Sequence, residues 1–198
     1  MYLEHFGLNE LPFSITPDTS FYFNHPGHQQ ATNVLLIALR SGEGFLKITG
    51  EVGTGKTLLC RRMLNMLSVD KNFVTAYIPN PYLTPSALNL VLAEELGIEV
   101  ARNAGQNRIL KMITEKLIEL NTADKKVVVL IDEAQAMPEQ TLEALRLLTN
   151  LETEKHKLLH IVLFGQPELD VILQRPSVRS FVNESHSVTS YHTSTMME

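Results

Sequence analysis

Short apolar runs alternate with amphipathic segments along most of this chain. Four runs rich in β-branched and aromatic residues have the length and boundaries that are typical of β-strands. They cover Phe45–Thr49, Phe73–Ile78, Lys126–Ile131 and Leu158–Phe164. The third run is almost wholly apolar, which indicates a strand that is covered on both faces.

Helical spacing of apolar residues predicts helices before and between these strands. The predicted helices cover His28–Arg40, Lys56–Leu67, Thr84–Leu96, Arg108–Leu120, Pro138–Asn150 and Pro167–Leu173. Strands that alternate with helices form a mainly parallel sheet, linked by right-handed crossovers, with helices on both faces. The sequence therefore predicts an α/β three-layer sandwich.

The two ends of the chain differ from this alternating pattern. Residues 1–26 are rich in Phe, Pro and turn-forming residues, which predicts an irregular, partly buried N-terminal arm. Residues 27–181 form the predicted α/β core, and residues 182–198 form a tail of different character.

Composition limits the class of protein. The 198 residues suit one large domain, and 44% hydrophobic with 20% charged residues is typical of a globular protein. No apolar run approaches the roughly 20 residues of a membrane span, and the N-terminus lacks the pattern of a signal peptide. The lone cysteine, Cys60, permits no internal disulfide. We therefore expect a cytoplasmic protein, and the net charge of −5 argues against general nucleic-acid binding.

A glycine-rich motif lies between the first predicted strand and the helix that follows it. The residues Gly50-Glu51-Val52-Gly53-Thr54-Gly55-Lys56-Thr57 match the Walker A pattern Gly-x-x-x-x-Gly-Lys-[Ser/Thr]. Glycines let backbone N–H groups approach phosphate oxygens, and the helix directs its positive end at the same anion. We expect Lys56 to bridge the β- and γ-phosphates of ATP and the Thr57 hydroxyl to bind Mg²⁺.

Two carboxylates follow the third predicted strand. Adjacent residues on a strand point to opposite sides, so Asp132 and Glu133 are expected to have different roles. Asp132 is predicted to hold Mg²⁺, as in a Walker B motif. Glu133 is predicted to act as the general base that polarises the attacking water, with Lys56 as the second catalytic residue.

Polar residues also follow two other predicted strands. Ligands of open α/β sheets bind beyond the carboxyl ends of the strands, so Asn80 and Gln166 could both face the γ-phosphate. Gln166 is a candidate phosphate sensor, and Asn80 is a candidate restraint on Glu133. Turn formers are common at strand ends for local reasons, so this alternative stays open for both residues.

Several motifs together resemble the ExeA/GspA and MshM group of AAA+ ATPases, which serve the general secretion pathway and the biogenesis of mannose-sensitive haemagglutinin (MSHA) pili. They are Met1-Tyr2, Phe6-Gly7-Leu8, Pro12-Phe13, Thr16-Pro17-Asp18, the Gly50–Thr57 loop, Ile131-Asp132-Glu133-Ala134-Gln135 and Gly165-Gln166-Pro167-Glu168-Leu169. The resemblance implies a P-loop fold with ATP and Mg²⁺ as ligands, an arm near the adenine, and a homo-oligomer when the chain is full-length. It also implies a membrane-associated assembly partner and thus a peripheral location at the inner membrane.

The resemblance stops after Phe181. Family members continue into an Arg-x-Arg-Ile segment, a last strand beside the strand that leads into the phosphate loop, and a helical lid, whereas this chain ends at Glu198 without them. A frameshift would explain the difference, because one permitted set of codons for Val182–Tyr191 encodes a family-like segment in the shifted frame. Arg179 and Arg175 remain candidates for the family's arginine finger. We expect nucleotide binding to survive this change better than turnover.

Three functions fit these residues. The first is an ATPase that serves assembly of a pilus or a secretion apparatus. The second is a DNA-transaction ATPase of the transposition-regulator type, which would bind DNA with a steep dependence on salt. The third is an interaction domain that holds ATP with little turnover, because the C-terminal segment is lost.

Overall fold

The fold is described from a computed structural model, for residues 2–8, 26–153 and 156–175. In chain order, its α-helices and β-strands are α1 (Tyr2–Phe6), α2 (Pro26–Ser41), β1 (Phe45–Thr49), α3 (Lys56–Val69), β2 (Phe73–Ile78), α4 (Pro85–Glu95), α5 (Gln106–Thr122), β3 (Lys126–Ile131), α6 (Glu139–Thr149), β4 (Leu159–Gly165) and α7 (Glu168–Leu173). A short 3₁₀ helix, Ala134–Ala136, lies between β3 and α6.

The four strands form one sheet in the order β1-β4-β3-β2, and every pair is parallel. Val129 in β3 is aligned with Ala76 of β2 on one side and with Ile161 of β4 on the other. The predicted strands are confirmed, except that the fourth begins and ends one residue later.

Each face of the sheet carries its own apolar core, because successive side chains point to opposite faces. Val127, Val129 and Ile131 belong to the core that includes residues of α4, α5, α6 and α7. Val128 and Leu130 belong to the core that includes residues of α2 and α3. The predicted three-layer α/β sandwich is therefore confirmed.

The parallel sheet places the predicted site residues at one end, where its strands finish. Thr49 of β1 is aligned with Gly165 of β4, and Ile131 of β3 with Ile78 of β2. The carboxyl ends of all four strands thus meet, and the phosphate loop begins where the Gly50 N–H donates to the Gly165 carbonyl at 3.2 Å.

The N-terminal arm contains regular structure that the sequence pattern does not indicate. Residues Tyr2–Phe6 form a helix, so the expectation of an irregular arm is wrong for this part. Gly7 ends the helix at φ +62°, which lets the Leu8 N–H donate to the Leu3 carbonyl at 2.8 Å. The rest of the arm, residues 9–25, lies outside the described residues, as does the tail after Arg175.

Strand β1 lies at one side of the sheet as far as the structure describes it. A buried lysine of this strand, Lys47, points at helix α7 and forms an ion pair with Asp170, which also accepts a hydrogen bond from the Thr49 hydroxyl at 3.2 Å. Inward-pointing charge of this kind is one way in which proteins protect an edge strand against pairing with other chains.

Candidate nucleotide site at the carboxyl edge of the sheet

The glycine-rich loop joins β1 to α3 through two glycines in the left-handed region. Gly53 has φ +82° and Gly55 has φ +80°, conformations that other L-residues rarely adopt. Gly55 is also the N-cap of α3, and no side chain caps this end of the helix. The first N–H groups of α3 therefore have no side-chain cap, which suits the binding of an anion.

Lys56 folds back over the loop. Its ammonium group donates to the carbonyls of Gly50 and Glu51, both at 2.8 Å. An ammonium has three N–H donors, so these two bonds fix its position and leave one donor for a phosphate oxygen. This arrangement fits the predicted role of Lys56.

Asp132 and Thr57 meet between β3 and α3. Asp132 is buried, lies beside the Thr57 hydroxyl, and accepts a hydrogen bond at 2.9 Å from the Glu133 N–H. Burial raises the pKa of the Asp132 carboxyl above its ordinary value, against the lowering effect of Thr57, of the Glu133 N–H and of Lys56. A hydroxyl and a carboxylate side by side are the oxygen ligands that Mg²⁺ takes, with water and phosphate completing its shell, so the residues fit this ion.

Glu133 has an unusual backbone conformation. It is exposed and lies in the left-handed region at φ 50° and ψ 38°, which is uncommon outside glycine. Its carboxylate accepts a hydrogen bond at 2.5 Å from the side-chain amide of Gln135. The general-base candidate is therefore held by a neighbour rather than pointing freely into solvent.

The two sensor candidates differ in their surroundings. Gln166 lies directly after β4, and its backbone N–H donates to the Gln135 side-chain oxygen at 3.0 Å. The Asn80 side chain instead accepts the Tyr82 N–H at 3.2 Å, which is a local turn contact. The hydrogen bond that Glu133 accepts in this structure comes from Gln135, and a restraining role for Asn80 stays a prediction.

Of the two arginine-finger candidates, only Arg175 is described. It follows α7 and forms an ion pair with Glu139 at the start of α6. Arg175 would have to leave this partner before it could reach a neighbouring subunit. Arg179 lies outside the described residues.

His28 contributes to the loop, although sequence reasoning assigns it no such role. It lies in the first turns of α2, and its Nε2 donates to the Thr54 carbonyl at 2.8 Å. A side chain at Gly55 would come within 2.8 Å of the imidazole, so the glycine also makes room for this contact. A histidine 22 residues before the motif, after a Pro-Gly pair, carries no sequence signal that would predict the contact.

Cys60 lies in α3, the helix that follows the loop, and its thiol is not expected to react at the site. The thiol is buried in α3, and this burial raises its pKa far above the ordinary value. A thiolate is therefore strongly disfavoured at this position.

A cavity of about 580 Å³ lies at the opposite end of the sheet, near the amino ends of the strands. Its lining includes Lys126, which donates to the carbonyls of Leu39 and Arg40 at the end of α2. The C-terminal turns of α2 and α5 and the start of β4 border this cavity. Cationic side chains there compensate the negative ends of helices, so we do not place the chemistry in this cavity.

Comparison with known proteins identifies the family. The family model for an AAA domain matches residues 39–173, which include the loop, the acidic pair and Gln166. The chain belongs to the AAA-domain family. The P-loop NTPase fold that the motif predicts is thereby confirmed.

A curated relative, general secretion pathway protein A of Aeromonas hydrophila, is 42% identical over 179 residues. The match covers 90% of this chain, and the chain spans about a third of the relative, 32% of its length. The resemblance to the ExeA/GspA group is thus confirmed.

Solved structures with the same fold have low sequence identity. The Cdc6p structure from Pyrobaculum aerophilum superposes with a TM-score of 0.65 at 22% identity, over 90% of this chain and 50% of that chain. The ADP form of the ORC2 protein of Aeropyrum pernix superposes with a TM-score of 0.61 at 18% identity, with the same coverages. These likenesses indicate the fold alone. Among the helices that the structure describes, none is both long and apolar enough to cross a bilayer.

Proposed function

We propose that this chain binds Mg-ATP at Gly50–Thr57 and hydrolyses it to drive or switch the assembly of a secretion or pilus apparatus. The observation that carries the proposal is the convergence of Lys56, Thr57 and Asp132 at one edge of the sheet, directly beside Glu133. This set contains the groups that phosphoryl transfer needs for positioning and for charge stabilisation.

The loop amides and Lys56 would hold the phosphates. Thr57 and Asp132 would hold Mg²⁺, which supplies positive charge against the phosphate oxygens when it is bound. The side-by-side arrangement of the hydroxyl and the buried carboxylate supports this assignment.

Glu133 would activate the attacking water. Its carboxylate accepts a proton as the water oxygen bonds to the γ-phosphorus. The bond between that phosphorus and the β–γ bridging oxygen breaks, and ADP leaves with the electron pair. The proton then passes to solvent, and the products are ADP and inorganic phosphate. Gln166, at the end of β4, would contact the γ-phosphate and report its loss.

The biological role rests on the relative. General secretion pathway protein A is similar to this chain over 90% of the chain's length, which supports a role in secretion or, as the alternative, in a related pilus system. Such a role would bring the chain to the inner membrane through a membrane-associated partner and, within a longer protein, into a homo-oligomer.

Turnover is tested by phosphate release. The parent chain is expected to hydrolyse ATP in the presence of Mg²⁺, and E133Q is expected to bind ATP but to lose about 100-fold or more in turnover, the usual size of a general-base contribution. E115Q, which alters an exposed glutamate of α5, is the matched control. Background rates for both the parent chain and E133Q would favour the interaction domain that holds ATP without cutting it, whereas equal rates well above background would mean that Glu133 is not the general base.

The cellular role needs a separate test. In the host bacterium, replacement of the gene by the K56A variant is expected to stop secretion or pilus assembly, as deletion would, while the variant protein remains present. A K56A strain that secretes and assembles pili as the parent does would contradict the assembly role and leave ATP hydrolysis standing.

A further inference from the structure

The side-chain amide of Gln135 connects two parts of the nucleotide site. Its Nε2 donates to Oε2 of Glu133 at 2.5 Å, and its Oε1 accepts the backbone N–H of Gln166 at 3.0 Å. A backbone N–H can only donate and an ionised carboxylate can only accept, so the network fixes the orientation of the amide. Gln135 thus joins the carboxylate that follows β3 to the first residue after β4.

The surroundings are shaped to admit this side chain. A Cβ at Gly165 would lie 3.0 Å from the Gln135 oxygen and 2.9 Å from a methyl carbon of Leu169, so a larger residue would displace the amide. The turn is closed behind Glu133 by a bond from the Ala136 N–H to the Glu133 carbonyl at 2.9 Å. These contacts hold Glu133 in its left-handed conformation, which has a conformational cost outside glycine.

We propose that Gln135 is a positioning residue that orients Glu133 for catalysis and couples it to Gln166. The proposal rests on the proposed function, in which Glu133 is the general base. The Gln135 amide occupies one carboxylate oxygen, Oε2, and the other oxygen is then directed to receive the proton of the attacking water. Without that bond, an exposed glutamate would sample several rotamers, few of which reach the water.

The same amide provides a route from the phosphate to the base. Gln166 would contact the γ-phosphate with its side chain, and its backbone N–H is bonded to Gln135. A shift of Gln166 on binding or loss of the γ-phosphate therefore moves the group that holds Glu133. The base and the sensor are two ends of one hydrogen-bonded chain.

Two substitutions distinguish the hydrogen bond to Glu133 from the hydrogen bond to Gln166. Q135M has nearly the same volume but neither donates nor accepts, so both bonds are lost. Q135E keeps an acceptor for the Gln166 N–H but loses the donor to Glu133 and places a second negative charge beside it. Single-turnover conversion of labelled ATP, with protein in excess, gives the hydrolysis rate constant at saturation and the half-saturating protein concentration separately.

Both variants are expected to lower the rate constant roughly tenfold to a hundredfold, as loss of an orienting partner does, with the half-saturating concentration within about twofold of the parent's. If Gln135 served only to hold the end of β4 through the Gln166 N–H, Q135E would hydrolyse ATP at the parent's rate, because it keeps that acceptor. In an E133Q background, Q135M is expected to cause no further loss, because its effect passes through Glu133. Q140M, at an exposed glutamine of α6, is the matched control.

The outcomes separate the two proposals. If the parent chain hydrolyses ATP and Q135M or Q135E retains the parent rate constant, the positioning role is wrong and the proposed function stands. Full additivity of Q135M with E133Q also overturns the positioning role. If the parent chain binds ATP without any single-turnover conversion, the proposed hydrolysis is wrong, and the role of Gln135 in it falls with it.

Discussion

The Thr57 hydroxyl lies beside the buried Asp132 carboxylate, where the start of α3 meets the end of β3. The loop motif and the acidic motif lie 75 residues apart in sequence, and this contact brings their two metal-binding candidates together. Both side chains end in oxygen and meet beside the ammonium of Lys56, which also acts on the Asp132 carboxyl.

T57A and D132N are expected to remove the contribution of magnesium to ATP affinity. In the parent chain, adding Mg²⁺ should tighten binding, because the ion bridges these oxygens to the phosphates. In either variant, the dissociation constant with Mg²⁺ should lie close to the value with EDTA. D124N, at an exposed aspartate in the turn before β3, is the control. If D132N kept the parent's full response to magnesium, Asp132 would not hold the ion.

The hydrogen bond from His28 is expected to stabilise the phosphate loop. H28A removes the donor to the Thr54 carbonyl, so the loop loses one fixed point and the ATP dissociation constant should rise about fivefold to tenfold, the value of one hydrogen bond. H28Q, whose amide can reach a similar position, should recover part of the affinity. The exposed His156 offers a control in H156A. Unchanged affinity in H28A, measured by displacement of a fluorescent nucleotide, would show that the contact is incidental.

The Lys47–Asp170 pair is expected to matter most when only one partner is removed. D170N leaves the largely buried Lys47 ammonium without its carboxylate and should lower the free energy of unfolding by about 2–4 kcal/mol, somewhat less than for a fully buried pair. The double variant K47M/D170L, in which both charges are replaced by apolar groups, should recover most of that loss. Urea denaturation measures both. If D170N were as stable as the parent, solvent would already screen the charges of this ion pair.

His160 is expected to make stability depend on pH. Burial lowers the pKa of this histidine below 6.5, against the raising effect of its bond to the Glu43 carbonyl. The unfolded chain binds the proton first as the pH falls, so stability should be lost from about pH 6.5 down to the lowered pKa of the folded state. H160N keeps a donor near Nδ1 and does not titrate. Between pH 7.5 and 5.5 it should lose less unfolding free energy than the parent, and an equal loss would refute the assignment.

The sheet and the loop could be predicted from sequence because both depend on local signals. Three strands have the predicted bounds, since continuous apolar runs between turn formers mark buried parallel strands. The loop could be predicted because its chemistry requires glycine, lysine and a hydroxyl at fixed spacing. The helix Tyr2–Phe6 cannot be predicted in this way, because its five residues are too few to show a periodicity.

The contacts that complete the site could not be predicted, because they join residues with no shared pattern. Gln135 is one polar residue in a short 3₁₀ helix, and only the folded turn shows that its two ends reach Glu133 and Gln166. Asn80 is the second residue after β2 and Gln166 is the first after β4, and of the two only Gln166 joins this network in the structure. The place of a residue after a strand predicts that it lies at the carboxyl end of the sheet. Its hydrogen-bond partners depend instead on the conformation of the neighbouring turns.

The phosphate loop and Lys56 are expected to bind a nucleoside triphosphate. Isothermal titration calorimetry of the parent chain with ATP and Mg²⁺ is the most direct measurement, with K56A as the variant and K71A, at an exposed lysine after α3, as its control. We expect one site per chain and a dissociation constant at least about tenfold weaker in K56A, since a charged hydrogen bond contributes roughly 1.5–3 kcal/mol. No binding heat from the parent chain, or equal affinity in K56A, would contradict the account.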